Sequence, residues 1–116
     1  MARLFVLSSL FLALLGCAHP DVSGLMHQNQ ISLQKLKVGM TKADAMELMG
    51  TRSAETNRGP IANPIRSETF TDKTGSPVEV LHYITQRSRN YRDTTPLVFK
   101  GGVLVGWGPE ALRQAR

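Results

Sequence analysis

The chain has 116 residues, with 14 lysines and arginines against 9 aspartates and glutamates and a formal net charge of +5. This length suits a single domain with one hydrophobic core. The single cysteine excludes an intramolecular disulfide. The basic charge favours acidic partners such as lipid phosphates or acidic protein surfaces, unless it only keeps the surface solvated.

The N-terminus carries a hydrophobic leader. Arg3 is followed by a mostly apolar run over residues 4–15, and Gly16 ends it. A positive charge, about a dozen apolar residues and a small terminal residue are typical of a secretory signal peptide. The run is too short to span a membrane, which takes about 20 apolar residues. We therefore predict that residues 1–16 are a signal peptide.

The leader ends in Leu14-Leu15-Gly16-Cys17. This resembles the lipobox of bacterial lipoproteins, in which the cysteine receives a diacylglyceryl group and, after cleavage, its amine is usually acylated as well. The resemblance implies covalent lipid on Cys17 and no other cofactor. Two or three acyl chains, at about 0.8 kcal/mol per buried methylene, give a lasting anchor. The alternative is an incidental cysteine or a free thiol, which would be a liability in an oxidising compartment.

The residue after the cysteine bears on location. In lipoproteins of this kind an aspartate at that position retains many at the inner membrane, whereas this chain has Ala18. The resemblance therefore implies a lipid-anchored protein on the periplasmic face of the outer membrane of a Gram-negative-type bacterium. An exported chain rarely meets nucleic acid, so we expect no nucleic-acid partner despite the basic charge.

Residues 17–30 are polar with little periodicity, and we predict that they form the lipidated N-terminus and a tether to a single domain over residues 31–116. From about Ser23 the pattern could also begin a first helix. The apolar residues of that helix would be Ile31, Leu33, Leu36 and Val38, and Leu25 or Met26 could extend the same face. His19 and His27 have no cysteine or carboxylate grouping beside them, so we expect no metal site.

The most complete helix signal covers residues 42–49. Thr41 suits the N-cap, Asp44 places a negative charge in the first turn, and Gly50 is a suitable stop. The apolar face of this helix consists of Ala45, Met46, Leu48 and Met49. A helix this short is marginal alone and must pack on something, so core packing is a better use of its methionines than a soft binding surface.

The next stretch changes from loop to strand patterning. Residues 51–64 contain two prolines and a glycine, which favour a loop or an irregular edge. Strands follow over residues 65–72 and 78–86, joined by turn chemistry at 73–76. His82 lies alone in the second strand with no nucleophile or orienting acid identifiable beside it, so a packed or edge histidine is a better interpretation than a catalytic one.

A basic segment with a central tyrosine follows at residues 87–93. It is the most favourable place for an electrostatic contact with lipid or a partner, and a solvated hairpin loop is the alternative. With two earlier arginines, the predicted contact residues are Arg58, Arg66, Arg87, Arg89, Tyr91 and Arg92.

Residues 95–107 carry the clearest hairpin, because two apolar runs flank Gly101-Gly102, where both residues can take positive φ. A short helix restarts at Pro109. Trp107 could anchor a partner, although the simpler interpretation is that it closes the domain against this tail.

The order of elements predicts an α+β fold in which two N-terminal helices pack on a three- to four-stranded antiparallel β-meander. The run Leu36-x-x-Gly39-Met40-Thr41-x-x-x-Ala45-x-x-Leu48-x-Gly50, with the meander and the lipobox, resembles the SmpA/OmlA, or BamE-like, outer-membrane lipoproteins. Their domain is similar in fold to repeats of the β-lactamase inhibitor proteins. The resemblance covers roughly residues 33–107.

This resemblance implies a non-catalytic, lipid-anchored periplasmic module that binds an envelope protein and supports outer-membrane assembly or envelope integrity. The alternative is a binder or inhibitor of a soluble periplasmic ligand or enzyme, which an exposed apolar or aromatic concave sheet face would favour. An enzyme is not expected, because no nucleophile motif or metal-ligand spacing is present. Fold alone does not decide between the two binding functions.

Overall fold

A computed structural model describes residues 22–85 and 94–116. Its elements are α1 (Val22–Leu33), α2 (Lys42–Met49), β1 (Ser53–Thr56), β2 (Gly59–Ala62), β3 (Arg66–Thr71), β4 (Pro77–Ile84), β5 (Thr94–Lys100), β6 (Val103–Trp107) and α3 (Pro109–Ala115). The predicted α+β class is confirmed. No helix in the described parts of the chain is long and apolar enough to cross a membrane.

The four C-terminal strands form an antiparallel meander in the order β3-β4-β5-β6. The predicted strands and the hairpin are confirmed to within a few residues. Leu81 pairs with Leu97 at the centre of the sheet, and the register shifts between Val98 and Phe99 where β5 meets β6. Alternation along these strands therefore gives the sheet two apolar faces.

A second, two-stranded sheet occupies the region that the sequence predicted as a loop or irregular edge. β1 and β2 pair antiparallel, with Ala54 opposite Ile61. Pro60 is tolerated because each strand of an isolated pair is an edge strand, where a missing N–H costs no ladder hydrogen bond. Ala54 is buried, so this hairpin packs on the domain and the loop prediction for residues 51–64 is wrong there.

Helix α1 begins at Val22, inside the segment 17–30 that the sequence predicted as a tether. Its buried residues are Leu25, Met26 and Asn29. The alternative of a helix from about Ser23 is therefore the correct one, and Leu25 and Met26 do belong to its buried face. The buried Asn29 interrupts the apolar spacing of that face. The packed part of the chain therefore includes residues assigned above to the tether.

The apolar face predicted for the first helix is wrong at two positions. Ile31 is 37% exposed and Val38 is 66% exposed. At 100° per residue, Ile31 lies about 200° around the helix from buried Asn29 and so faces away from the core. Val38 lies beyond the end of the helix. Leu36, from the same predicted face, is buried.

Helix α2 has the start and stop that the sequence predicts. The Asp44 N–H donates to Thr41 Oγ1 over 3.1 Å. Gly50 has φ +76, and its N–H donates to the Met46 carbonyl. Ala45 is buried, as is the last residue of the helix. This short helix thus gains its stability from both caps and from packing.

The residues just before α2 and its first residue pair with the outer edge of β6. The Gly39 N–H donates to the Leu104 carbonyl (2.8 Å), the Leu104 N–H to the Met40 carbonyl (2.7 Å) and the Lys42 N–H to the Gly102 carbonyl (2.9 Å). Backbone groups of an edge strand would otherwise be open to another chain. These bonds cover the first half of β6 and hold α2 over one face of the sheet.

The two faces of the meander carry separate apolar clusters. The cluster on the α2 side consists of Leu36, Ala45, Met49, Leu81, Tyr83, Leu97, Phe99 and Leu104. The cluster on the α3 side consists of Val78, Val80, Val98 and Ala115. Trp107 pairs with Leu97 and packs on the α2 side, whereas Ala111 and Leu112 of α3 pack on the other. The expectation that Trp107 closes the domain against the tail helix is therefore wrong.

The β5–β6 turn provides a direct test of backbone strain. Gly101 has φ +61 and Gly102 has φ +74. We expect Gly101→Val to lower the free energy of unfolding by about 1–3 kcal/mol, because a β-branched residue is strained in this region. Gly101→Asn is the control and should cost less, since asparagine tolerates positive φ. If thermal denaturation gives the valine variant the same stability as the wild type, this turn assignment is contradicted.

Candidate functional site

A polar cluster lies on the α3 side of the sheet, where three strands contribute one side chain each. His82 Nε2 is 3.1 Å from Glu68 Oε1, and His82 Nδ1 is 3.0 Å from Thr94 Oγ1. The histidine is 3% exposed. The conclusion that His82 is packed in the sheet is confirmed. The expectation that no acid lies beside it is wrong, because the acid comes from the neighbouring strand β3.

The chemistry of the partners fixes the protonation of the ring. An ionised carboxylate only accepts hydrogen bonds, so Nε2 of His82 carries the proton and donates it to Glu68. In the neutral ring Nδ1 is then the acceptor for the hydroxyl of Thr94. Both ring nitrogens are therefore satisfied within the domain.

Two arginines flank this cluster. Arg66 Nη2 lies 3.4 Å from each ring nitrogen of His82. Arg116 Nη2 lies 3.6 Å from Glu68 Oε1, and its guanidinium sits 5.0 Å from the ring centre of Phe70. Burial lowers the pKa of His82 below its usual value and outweighs the hydrogen bond to Glu68, which raises it; the charge of Arg66 lowers it further.

The order carboxylate, imidazole, hydroxyl is the order of a nucleophilic triad. A general base needs a ring that accepts a proton near neutral pH and lies within reach of substrate. His82 is buried, and the charge of Arg66 opposes its protonation. This arrangement suits a structural role better. The uncharged imidazole of His82 hydrogen bonds to Glu68 and Thr94, so it links β3, β4 and β5, and it also positions Arg66.

A second buried polar site joins four elements. Asn29 Nδ2 donates to Asn63 Oδ1 (2.9 Å), and Asn63 Nδ2 donates to Asn29 Oδ1 (2.7 Å). The remaining amide protons go to the carbonyls of Ile84 (2.9 Å) and Met49 (3.2 Å). Asn29 is 0% exposed and Asn63 is 7% exposed. This closed pair links α1, the end of α2, the end of β4 and the residue after β2, and the sequence analysis missed it.

The hydroxyl of Tyr83 is buried without a hydrogen-bond partner among the described residues. Burial raises the pKa of this tyrosine to about 12, so the side chain stays un-ionised. Such a hydroxyl costs about 1–3 kcal/mol when it is left unpaired. Tyr83 therefore contributes to the core through its ring.

The predicted contact residues fall in different places. Arg58 is exposed in the β1–β2 turn, where its N–H donates to Thr56 Oγ1. Arg66 begins β3 and lies against His82. No contact joins the two arginines within residues 22–85 and 94–116. The other predicted site residues lie outside the described residues: Cys17, Arg87, Arg89, Tyr91 and Arg92.

Potential metal ligands do not cluster in the described parts of the chain. No group of three or more histidine, cysteine, aspartate or glutamate side chains there could hold a metal ion. His27 lies exposed on α1. Within these ranges the only histidine in a carboxylate contact is His82, and its two nitrogens are already hydrogen bonded.

Comparison with protein families gives one match. Residues 22–114 match the model of a family described as "Protein of unknown function (DUF3192)". That range begins at the first residue of α1 and contains every helix and strand of the described structure except the last residue of α3. No curated protein and no solved structure matches the chain.

Proposed function

We propose, from the premise that the chain belongs to the DUF3192 family, that it is a lipid-anchored, non-catalytic module of the cell envelope that binds another protein. In this proposal it faces the periplasm from the outer membrane and supports outer-membrane assembly or envelope integrity. The observation that carries the proposal is the sequence Leu14-Leu15-Gly16-Cys17, which lies just ahead of Val22, the first residue of α1.

A BamE-like arrangement is part of this proposal. Two helices precede a four-stranded meander, and the Gly39-Met40-Thr41 motif has a defined structural use. Gly39 and Met40 exchange backbone hydrogen bonds with Leu104, while Thr41 caps α2. These contacts give a physical reason for those residue types at that spacing. The β1–β2 sheet and α3 would be additions to the arrangement.

The surroundings of His82 support a non-catalytic role. Its ring nitrogens are occupied by Glu68 and Thr94, and Arg66 covers both of them. A positive charge beside the ring makes it a weak proton acceptor. A nucleophilic mechanism would need the opposite electrostatics.

The alternative, a binder or inhibitor of a soluble periplasmic enzyme, has less support. It calls for an exposed apolar or aromatic sheet face, whereas α2 packs on one face of the meander and α3 on the other. In the described part of the chain the exposed large apolar side chains are Ile31, Val38, Val103 and Val105. None of these is aromatic.

The anchor is tested by Cys17→Ser. We expect this variant to accumulate as unprocessed precursor without acyl chains, because the thiol that accepts the diacylglyceryl group is gone. Metabolic labelling with a fatty acid and the mass of the mature protein are the measurements. Normal processing and labelling of the variant would contradict the lipoprotein proposal.

Ala18→Asp is the matched control for location. It keeps Cys17, so acylation should be unchanged, while the aspartate should move the protein to the inner-membrane fraction. Crosslinking in intact cells with the acylated wild type then identifies the partner. Recovery of an outer-membrane assembly component supports the assembly role, and recovery of a soluble periplasmic enzyme supports the alternative.

A further inference from the structure

Little chain separates the predicted lipid from the folded domain. Four residues lie between Cys17 and Val22. An extended chain covers at most about 3.6 Å per residue, so the five steps from Cys17 to Val22 span no more than about 18 Å. With acyl chains on Cys17 buried in a bilayer, the beginning of α1 stays within this distance of the membrane surface.

A groove of about 210 Å³ lies at this end of the domain, between the first half of α1 and the start of β1. It is lined by Gly24, Leu25, His27, Gln28, Arg52 and Ser53. Arg52 is exposed and forms no ion pair with the described residues. An exposed, unpaired arginine beside a groove favours a phosphate ligand, because its planar guanidinium binds phosphate oxygens in pairs.

The two walls of this groove are tied to each other. Asn63 donates its backbone N–H to the Arg52 carbonyl over 2.9 Å, and its side chain pairs with Asn29 of α1. Gln30 adds a hydrogen bond of 2.6 Å to the Thr85 carbonyl at the end of β4. The groove is therefore a fixed feature of the domain, and its position relative to the anchor is set by α1.

The opposite end of the sheet lies out of reach of the anchor. This end of the sheet contains the turns that follow β3 and β5. Strand β4 runs from these turns to the end of the sheet that contacts α1, and its eight residues cover about 26 Å at 3.3 Å per residue. At that end Lys42 contacts Glu79 and Lys100 contacts Asp72, while Lys73 in the β3–β4 turn is exposed and forms no ion pair with the described residues. Unpaired positive charge and proximity to the anchor coincide at the α1–β1 groove instead.

We propose that the α1–β1 groove rests on the membrane that holds the acyl chains of Cys17, with Arg52 bound to the phosphates of phospholipid headgroups. This inference rests on the lipid anchor of the proposed function and extends it. The contact fixes the orientation of the domain, because the turn at Gly101-Gly102 then points away from the membrane. Basic residues close to a membrane surface are attracted to its anionic lipids, so Arg52 and the acyl chains act together.

The test uses full-length acylated protein in vesicles of phosphatidylethanolamine and phosphatidylglycerol. Acylation consumes the thiol of Cys17, so a fluorophore can be attached to one introduced cysteine, Ser53→Cys in the groove or Ser76→Cys in the β3–β4 turn. A quencher on lipid headgroups should quench the probe at position 53 several-fold more than the probe at position 76. Adding Arg52→Glu should abolish that difference, whereas Lys73→Glu, an equal charge reversal at an exposed position of the β3–β4 turn, should preserve it.

The outcomes separate this inference from the proposed function. Acylated, vesicle-bound protein with equal quenching at both positions overturns the orientation and leaves the anchor standing. A probe at position 53 that is unquenched in vesicles but crosslinks to a protein in cells assigns the groove to a protein partner and also overturns it. Protein that carries no acyl mass and does not bind vesicles refutes the anchor itself, and the orientation with it.

Discussion

Asn63→Ala is expected to lower the free energy of unfolding by about 3 kcal/mol, one of the largest effects of any polar substitution in this domain. The variant leaves Oδ1 of Asn29 and the carbonyl of Met49 buried without their donors. Each such orphaned group costs about 1–3 kcal/mol. Chemical denaturation measures the change, and Gln28→Ala, an exposed amide on α1, is the control, with an effect expected within about 0.5 kcal/mol.

The pair can be tested for reciprocity with a double-mutant cycle. Asn29→Ala removes the same two amide–amide hydrogen bonds from the other side. Once one partner is gone, loss of the second costs less, so we expect the double variant to cost less than the sum of the single variants by about 1–2 kcal/mol. Additive costs would show that the two amides do not depend on each other.

The second large effect is a loss of stability on mild acidification. The pKa of His82 is lowered in the folded state by burial and by Arg66, while the unfolded chain has the usual value near 6.5. Below about pH 6.5 the unfolded state therefore binds more protons than the folded state, so stability is full above that pH and falls as the pH drops toward the folded pKa of His82. One such proton changes the free energy of unfolding by at most about 1.4 kcal/mol per pH unit.

The groups that face the ring bear on this prediction. Glu68 favours the protonated ring, whereas Arg66 on the same strand and Arg116 after α3 oppose it; Thr94 on β5 is uncharged. Asp72 does not contribute to the change of stability with pH in this range, because hydrogen bonds from Thr74, Lys100 and Ser76 hold its pKa far below the usual value. Its carboxylate stays ionised over the pH range in which the stability would be measured, about pH 5.5 to pH 7.5.

Denaturation curves at several pH values test this result. His82→Gln can still hydrogen bond but does not titrate, so its stability should vary less between neutral and mildly acidic pH than that of the wild type. The matched control makes the same substitution at His27, which is exposed on α1, so that the effect of exchanging a histidine for glutamine is measured away from the His82 cluster. A His82→Gln variant with the wild-type slope would mean that another group governs the acid response.

Local chemistry explains which parts of the fold can be predicted from the sequence. Helix α2 is bounded by Thr41 and Gly50, whose side chain and backbone freedom act on residues within one turn. The β5–β6 hairpin likewise depends on Gly101-Gly102 and on alternating neighbours. Caps and tight turns can be predicted without knowing which residues distant in sequence pack against them.

The candidate sites depend on partners that are distant in sequence. Asn29 and Asn63 are 34 positions apart, and each alone reads as a polar surface or turn residue. Glu68 and His82 are 14 positions apart and meet only because the β3–β4 register aligns Arg66 with His82. Pattern reading excludes a central strand at Pro60 but cannot foresee that an isolated two-stranded sheet would accept it.

The sequence by itself determined the α+β class, the caps of α2 and the meander with its glycine turn, because these depend on composition, spacing and local backbone preference. Only the tertiary structure decided which polar side chains are buried together, where α1 begins to pack, and that Arg52 beside the α1–β1 groove forms no ion pair within residues 22–85 and 94–116. The physical reason is desolvation. A buried amide or imidazole is tolerated only where folding brings it a partner, and that partner is chosen by the packing of whole elements.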